Sequence, residues 1–149
     1  MHAGLCFDGF YSIQEMIELA QLADDIGMDS VWMSDHICFR DSIASAMAFL
    51  AKTQRIKVNP APLSPYSRHP MVTAMALATM EEFAPGRVAA TIGTANPTAL
   101  REIGIEPNRM LKTMREYMIL LRRLLAGEAV DLEGDVFSMN GAQMGLTPQ

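Results

Sequence analysis

Short apolar runs and amphipathic stretches take turns along this chain, and their alternation predicts its elements. "HAGLCFD" is a brief apolar run followed by Gly9, and in "SIQE" Ser12 and Glu15 have the spacing of a capping box, which satisfies the free amides of a helix start. Ile13, Met16, Ile17, Ala20 and Ala23 then recur on one helical face, and Gly27 supplies the left-handed residue that ends such a helix. "DSVWMSD" predicts a second strand. Asp41 and Ser42 cap a second helix, "SIASAMAFLAKT", and the β-branched residues of "RIKVNPA" predict a third strand. Four prolines, Pro60, Pro62, Pro65 and Pro70, make "NPAPLSPYSRHP" a shaped loop, because proline has no amide to give to a strand ladder. Pro70 suits the first turn of a third helix, "MVTAMALATMEEF"; "APG" stops it, and "RVAATIG" predicts a fourth strand ending at Gly93. After a polar loop, Met110, Met114, Tyr117, Leu121 and Leu124 form the buried stripe of the longest helix, closed by Gly127. The last stretch, "VDLEGDVFSMNGAQM", has an Asp-bounded glycine turn and an Asn-Gly step, the signs of a small hairpin.

The order is therefore β-α four times over, then a hairpin. Strands this continuously apolar imply a parallel sheet with helices on its faces. An open doubly wound sheet of the flavodoxin kind accepts that order, but its phosphate loop belongs after the first strand, where "DGFYS" has no Gly-x-Gly-x-x-Gly. The alternative is a (β/α)8 TIM barrel, in which chemistry sits at the carboxyl ends of the strands, the place of Asp35 and His36. Four β-α units are half of such a barrel. The expected fold class is α/β, the first half of a TIM barrel, in one domain spanning residues 1–149, since no linker, charge run or low-complexity segment divides the chain.

Composition narrows the function classes. The 149 residues are half hydrophobic, enough for a sizeable core, and carry a net charge of -5 with 12 basic residues spread along the chain, which gives no electrostatic footprint for nucleic acid. Cys6 and Cys38 lack metal-ligand spacing and read as free thiols in a reducing compartment; no metal is expected. The amino terminus has no basic and apolar leader, and no apolar run approaches the ~18 residues of a membrane span, so a cytoplasmic protein is expected. Thirteen Met residues sit at helical spacing among Ala and Leu, as adaptable core filler.

"GMDSVWMSDH", "AKTQRIKVNPAPLSPYSRHP", "ATMEEFAPGRVAATIG" and "REYMILLRRLLAGEAVDLEGDVF" resemble, in consecutive order, the luciferase-like flavin-dependent oxidoreductases, and most of all the branch containing methylenetetrahydromethanopterin reductase. The resemblance implies a (β/α)8 barrel that holds FMN or a 5-deazaflavin (coenzyme F420) and acts on a small-molecule substrate by hydride transfer or, in the monooxygenase branch, by oxygen activation. Family members run to about twice this length, so a truncated form without the late loops that hold the cofactor phosphate is expected. A non-catalytic half-barrel that dimerises without cofactor is the alternative.

On this resemblance Asp35 and His36 are the candidate catalytic pair, facing the flavin ring or substrate. An imidazole there moves a proton near neutral pH and a carboxylate orients it. The plainer reading makes Asp35 a cap for the next helix and His36 a packed side chain. Strand alternation also sends the two to opposite faces unless the strand has already ended. Ala61, Pro62, Leu63 and Ser64 match the loop on which family members rest the back of the ring, near a cis non-proline peptide; a rigid connector is the plainer reading. Gly93, Thr94 and Asn96 are the remaining cofactor candidates, although "TIGTANP" departs from the family's Gly-Ile-Gly-x-Gly. Arg68 and His69 precede the third helix and are expected to shape its entry. Small residues and Met on helices two and three match the family's dimer region, so a homodimer or larger homo-oligomer is expected through them.

Overall fold

One parallel ladder sets the geometry of the molecule, whose computed structural model describes residues 2–146. Strands β1 (Gly4–Phe7), β2 (Ser30–Met33) and β3 (Lys57–Pro60) lie side by side in that order, with Cys6, Trp32 and Asn59 in register as one row and Phe7, Met33 and Pro60 as the next. Helices α1 (Ile13–Asp25) and α2 (Ser42–Lys52) connect them. The capping box is formed in full at α1, with the Glu15 amide donating to the Ser12 hydroxyl and the Ser12 amide to the Glu15 carboxylate. Asp41 caps α2 through the Ala44 amide. The molecule is thus an α/β fold with parallel strands. No described helix is long and apolar enough to cross a membrane.

The regular fourth strand expected over "RVAATIG" is not formed. Residues 88–92 meet β3 only at two isolated parallel bridges, Val58 with Val88 and Leu63 with Ile92. The cause is the proline pair: Pro60 and Pro62 have no N–H, so between Val58, which donates to the Arg87 carbonyl, and Leu63, which donates to that of Thr91, both at 2.8 Å, the ladder keeps only the Ala89 and Thr91 amides, which donate to the Val58 and Pro60 carbonyls at 3.0 and 3.4 Å. The proline segment therefore does carry the ladder onward, at Leu63, where the sequence predicts only a loop. Its cis peptide is Ala61–Pro62, a proline bond.

Helix α3 (Pro70–Phe83) starts on Pro70, and His69 caps it by accepting the Met71 amide on Nδ1 at 3.2 Å. A short helix, α4 (Pro97–Glu102), precedes α5 (Met110–Leu125) in the stretch predicted as a polar loop; Asn96 caps it and Pro97 opens it, a start signal that reads equally as a turn. Strands β4 (Val130–Glu133) and β5 (Ser138–Ala142) form the antiparallel hairpin, with Gly134 in its turn and the Asn140–Gly141 step inside β5 at a register irregularity. Cys6 and Cys38 are free and exposed.

Two buried clusters stabilise this arrangement. Phe7, Val31, Met33 and Val58 project from one face of the sheet onto Met16, Ala20, Phe49 and Leu50 of α1 and α2. Leu77, Ala78, Tyr117, Leu120 and Leu124 join α3 to α5 under Val130 and Met139 of the hairpin. Polar clamps span the joints. The Glu116 carboxylate accepts the backbone amides of Asp135, Val136 and Phe137, each at 3.0 Å, and these donors hold its pKa below the usual carboxylate value. Glu116→Ala should speed hydrogen exchange at these three amides by about tenfold or more while leaving the amides of β1–β3 unchanged, since local opening follows lost local bonds.

Candidate active site

The ladder continues past the strand ends and brings four chain tips to one end of the sheet. The Ser34 amide donates to the Phe7 carbonyl and the Ala61 amide to that of Met33, both at 2.8 Å, while the Gly93 amide donates to the Leu63 carbonyl at 3.0 Å. Asp8, Ser34 to His36, Ala61 to Ser64, and Gly93 to Asn96 therefore emerge together. Beyond them a cavity of about 320 Å³ opens among Asp35, His36, Phe39, Asp41, Ser67 and Arg68, between the loops that follow β2 and β3. Of the candidate catalytic and cofactor residues, Asp35 and His36 line it.

Asp35 and His36 leave the strand in different directions. The Asp35 carboxylate accepts the Ser42 hydroxyl at 2.7 Å and lies 3.6 Å from Arg68 Nε. Arg68 also donates to Asp41, the cap of α2, so one guanidinium joins two carboxylates from the preceding loop. Burial works against the charge on Arg68, yet Asp35 and Asp41 together hold its pKa above the ordinary arginine value. Burial likewise opposes the Asp41 charge, and the Ala44 amide and Arg68 outweigh it, leaving its pKa lowered. Arg68 thus does more than shape the entry to α3: it ties the β3 loop to the β2 loop. The two residues are 27 positions apart in sequence, and nothing local in "YSRHP" marks the pairing.

His36 is held by packing. Its ring lies 4.5 Å from that of Phe39 and 5.7 Å from that of Phe10, and Phe10 meets Phe39 edge-on at 4.6 Å. Phe10 and Phe39 are half exposed, so the three rings form an open aromatic surface at the sheet end. Arg40 fixes the two loops by donating to the Gly9 carbonyl at 2.8 Å. Gly9 has φ +89°, and a Cβ there would stand 3.2 Å from Phe39 Cβ, so the position suits glycine on both counts. Phe10 and Phe39 were not among the sequence candidates; an aromatic three residues past the end of β1 and another six past the end of β2 is the signal that marks them.

The other candidates sit beside this cavity. Ala61, Leu63 and Ser64 are buried within the chain, and Pro62 is exposed. The Ser64 hydroxyl accepts the Tyr66 amide, and the Tyr66 hydroxyl donates to the Asn108 carbonyl at 2.7 Å, tying this loop to the approach to α5. Gly93 packs on Pro62: a Cβ at Gly93 would lie 2.7 Å from Pro62 Cβ. Thr94 is half-buried, and the Asn96 side-chain oxygen is used in capping α4 through the Thr98 amide. No group of His, Cys, Asp or Glu among the described residues is arranged to hold a metal ion.

The sequence matches the luciferase-like monooxygenase family model over residues 3–149. The chain belongs to that family. Its luciferase-like relatives include the 5,10-methylenetetrahydromethanopterin reductase of Archaeoglobus fulgidus, 34% identical over 148 residues, a match covering 99% of this chain and 45% of the relative. In structure it resembles the coenzyme F420 dependent tetrahydromethanopterin reductase of Methanopyrus kandleri, with a TM-score of 0.87, 21% identity, and coverage of 95% of this chain and 45% of that one. It also resembles the FMN-bound oxygenating constituent of 3,6-diketocamphane monooxygenase from Pseudomonas putida, with a TM-score of 0.82, 24% identity, and coverage of 93% and 43%. At these identities the structural likeness speaks to the luciferase-like fold. The chain spans less than half the length of the curated relative it matches.

Proposed function

We propose that this chain is the strand-tip half of a luciferase-like oxidoreductase that uses coenzyme F420 or FMN to move a hydride to or from a small organic substrate in the cytoplasm. Relatives named for F420-dependent chemistry and a neighbour named in complex with FMN support the cofactor class. The observation that carries the reading is the meeting of Asp35 and His36 at one open cavity, at the sheet end that also presents Pro62, Gly93 and Thr94.

The residues present suit a flat heteroaromatic group. Phe10, His36 and Phe39 offer apolar ring surface; Pro62, backed by Gly93, offers a second rigid apolar face, and the Thr94 hydroxyl a polar edge. When bound, the cofactor supplies the hydride chemistry. The chain's own share is to hold that ring, keep water from one side of it and move a proton at a His36 ring nitrogen. Asp35 is bound to Ser42 and Arg68, so its part is to keep the loop that carries His36 in place. Helices α2 and α3 expose a groove of about 340 Å³ lined by Ile43, Met47, Val72 and Met75, the surface through which two copies would associate.

Titration of the 149-residue chain with F420 and with FMN, followed by absorbance, tests this. Uptake in the micromolar range is expected, weakened about tenfold, or 1.4 kcal/mol, by His36→Ala. No uptake of either cofactor at high micromolar concentration overturns it. That outcome would favour the second reading, an assembly unit that binds no cofactor, for which the use of the Asp35 carboxylate and the Asn96 side-chain oxygen in structural contacts already speaks.

A further inference from the structure

The turn between β4 and β5 is fastened to α5 more heavily than two short strands require. The Gly134 amide closes it on the Phe137 carbonyl at 3.0 Å, and Glu116 takes the amides of Asp135, Val136 and Phe137. Lys112 meets the Asp135 carboxylate at 2.6 Å, and Arg109 donates to the Asp135 carbonyl at 3.3 Å. The approach is so close that a Cβ on Gly134 would stand 2.5 Å from Glu116 Oε2 and 2.7 Å from the Phe137 carbonyl oxygen. The Phe137 backbone is fixed to α5 by these bonds, and the place of its ring follows.

That ring, half-buried, stands between two others, meeting His69 edge-on at 5.8 Å and Tyr117 at 5.9 Å. His69 caps α3 and is the chain neighbour of Arg68. Tyr117 is fully buried and donates its hydroxyl to Thr73, in the first turn of α3, at 2.5 Å. Burial raises the Tyr117 pKa, and both Arg68 and Asp35 are near enough to act on it as charges. Ahead of Arg68, the Tyr66 hydroxyl donates to the Asn108 carbonyl, which the Thr113 hydroxyl of α5 also reaches at 3.3 Å. The stretch that carries Arg68 therefore leans on the hairpin and α5 at Tyr66, His69 and Thr73. Its guanidinium then crosses to Asp35 and Asp41 in the cavity.

We propose that Phe137 is a positioning residue for the candidate active site: by filling the space between His69 and Tyr117 it sets the reach of Arg68 to Asp35 and Asp41, and with it the width of the cavity before His36. An ion pair between separate loops weakens steeply once the charges part and water enters, so a small shift of the α3 entry is felt at the cavity. A chain of contacts is not by itself proof of coupling, which a double-variant comparison measures. The effect on cofactor rests on the cavity being the ring site, whereas the placement of Arg68 can be read without cofactor.

Labelling of the 149-residue chain with phenylglyoxal, read arginine by arginine by peptide mass spectrometry, tests this. Phe137→Ala should speed modification of Arg68 about tenfold, and Glu116→Ala, which frees the turn without touching the ring, should speed it by a smaller factor. Phe137→Leu keeps the apolar bulk and should stay within about twofold of the natural chain. Arg87, bound to the Thr53 and Leu50 carbonyls at the end of α2, should keep its rate in every variant. Uptake of F420 or FMN should weaken about threefold in Phe137→Ala, and in an Arg68→Met background the same change should add nothing. Three results overturn the proposal: an Arg68 rate indifferent to Phe137→Ala, Arg68 and Arg87 quickening together, or a loss of uptake from Phe137→Ala that persists beside Arg68→Met. A natural chain that takes up neither cofactor, with Arg68 labelling as expected, upholds the positioning and overturns the oxidoreductase reading alone.

Discussion

Replacing Asp24 by alanine is expected to remove about 3 kcal/mol of stability. The Asp24 carboxylate is 5% exposed at the residue level and accepts the backbone amides of Gln54 at 2.6 Å, Arg55 at 3.2 Å and Ile56 at 2.8 Å, the whole start of the approach to β3. Without it, several buried or half-buried amides lose their acceptor together, and each unsatisfied donor costs about 1–3 kcal/mol. Only partial rescue by water at the rim keeps the total near 3. In a chain of this size that corresponds to a drop of about 6–12 °C in the unfolding midpoint. Urea denaturation at neutral pH checks the magnitude.

The same clamp has a pH signature. Burial alone would raise the Asp24 pKa, but the three amides and Arg55 outweigh it and bring it below the ordinary value of 3.8. A carboxylate depressed on folding stabilises the native state at every pH above its unfolded value, and the contribution fades as pH falls through the folded one. The stability difference between the natural chain and Asp24→Asn should be constant from pH 7 to about 5 and shrink below pH 4. A difference that grew on acidification would mean that the carboxylate is not the acceptor described here.

Asp24 also shows where sequence reading stops. The elements whose signals are local were legible: the capping box of Ser12 and Glu15, the Gly27 and Gly127 helix ends, the Pro70 start and the hairpin at Gly134 all depend on residues within a few positions. The clamps are not local. Asp24 meets residues 30 to 32 positions away, and Arg87 reaches back 34 and 37 positions to the carbonyls of Thr53 and Leu50 at the end of α2, where its charge also suits the helix dipole. An Asp late in one helix and an Arg after another carry no mark of that pairing.

The site divides in the same way. Asp35 and His36 were legible as strand-tip residues, but β2 ends at Met33, so strand alternation does not govern them: both line one cavity, with Asp35 turned to Ser42 and His36 to Phe39. That Arg68 would bind Asp35 and Asp41 was not legible, because it depends on how the β3 loop folds over the β2 loop. The fourth strand failed for a reason that was present in the sequence. Pro60 and Pro62 remove two donors from the end of β3 and the segment that continues it, and a missing donor on one strand deprives the neighbour as surely as itself.

Gly93→Ala is expected to cost about 2 kcal/mol. A Cβ at this position would stand 2.7 Å from Pro62 Cβ and 3.1 Å from Pro62 Cγ, well inside contact distance. A flexible side chain would swing aside, but the pyrrolidine ring is closed on its own backbone and stands between buried Ala61 and Leu63. Relief must therefore come from the backbone, by loosening the Leu63 to Thr91 and Gly93 to Leu63 bonds that join residues 88–92 to the sheet. Overpacking of this kind typically costs about 1–3 kcal/mol. The glycine has two possible reasons to be there, approach of a ligand or approach of Pro62, and thermal unfolding without cofactor separates them. Destabilisation in the cofactor-free chain assigns the glycine to Pro62, and the exposed face of that proline then stands where it does because Gly93 lets it. Unchanged unfolding with weakened cofactor uptake would instead assign it to the ligand.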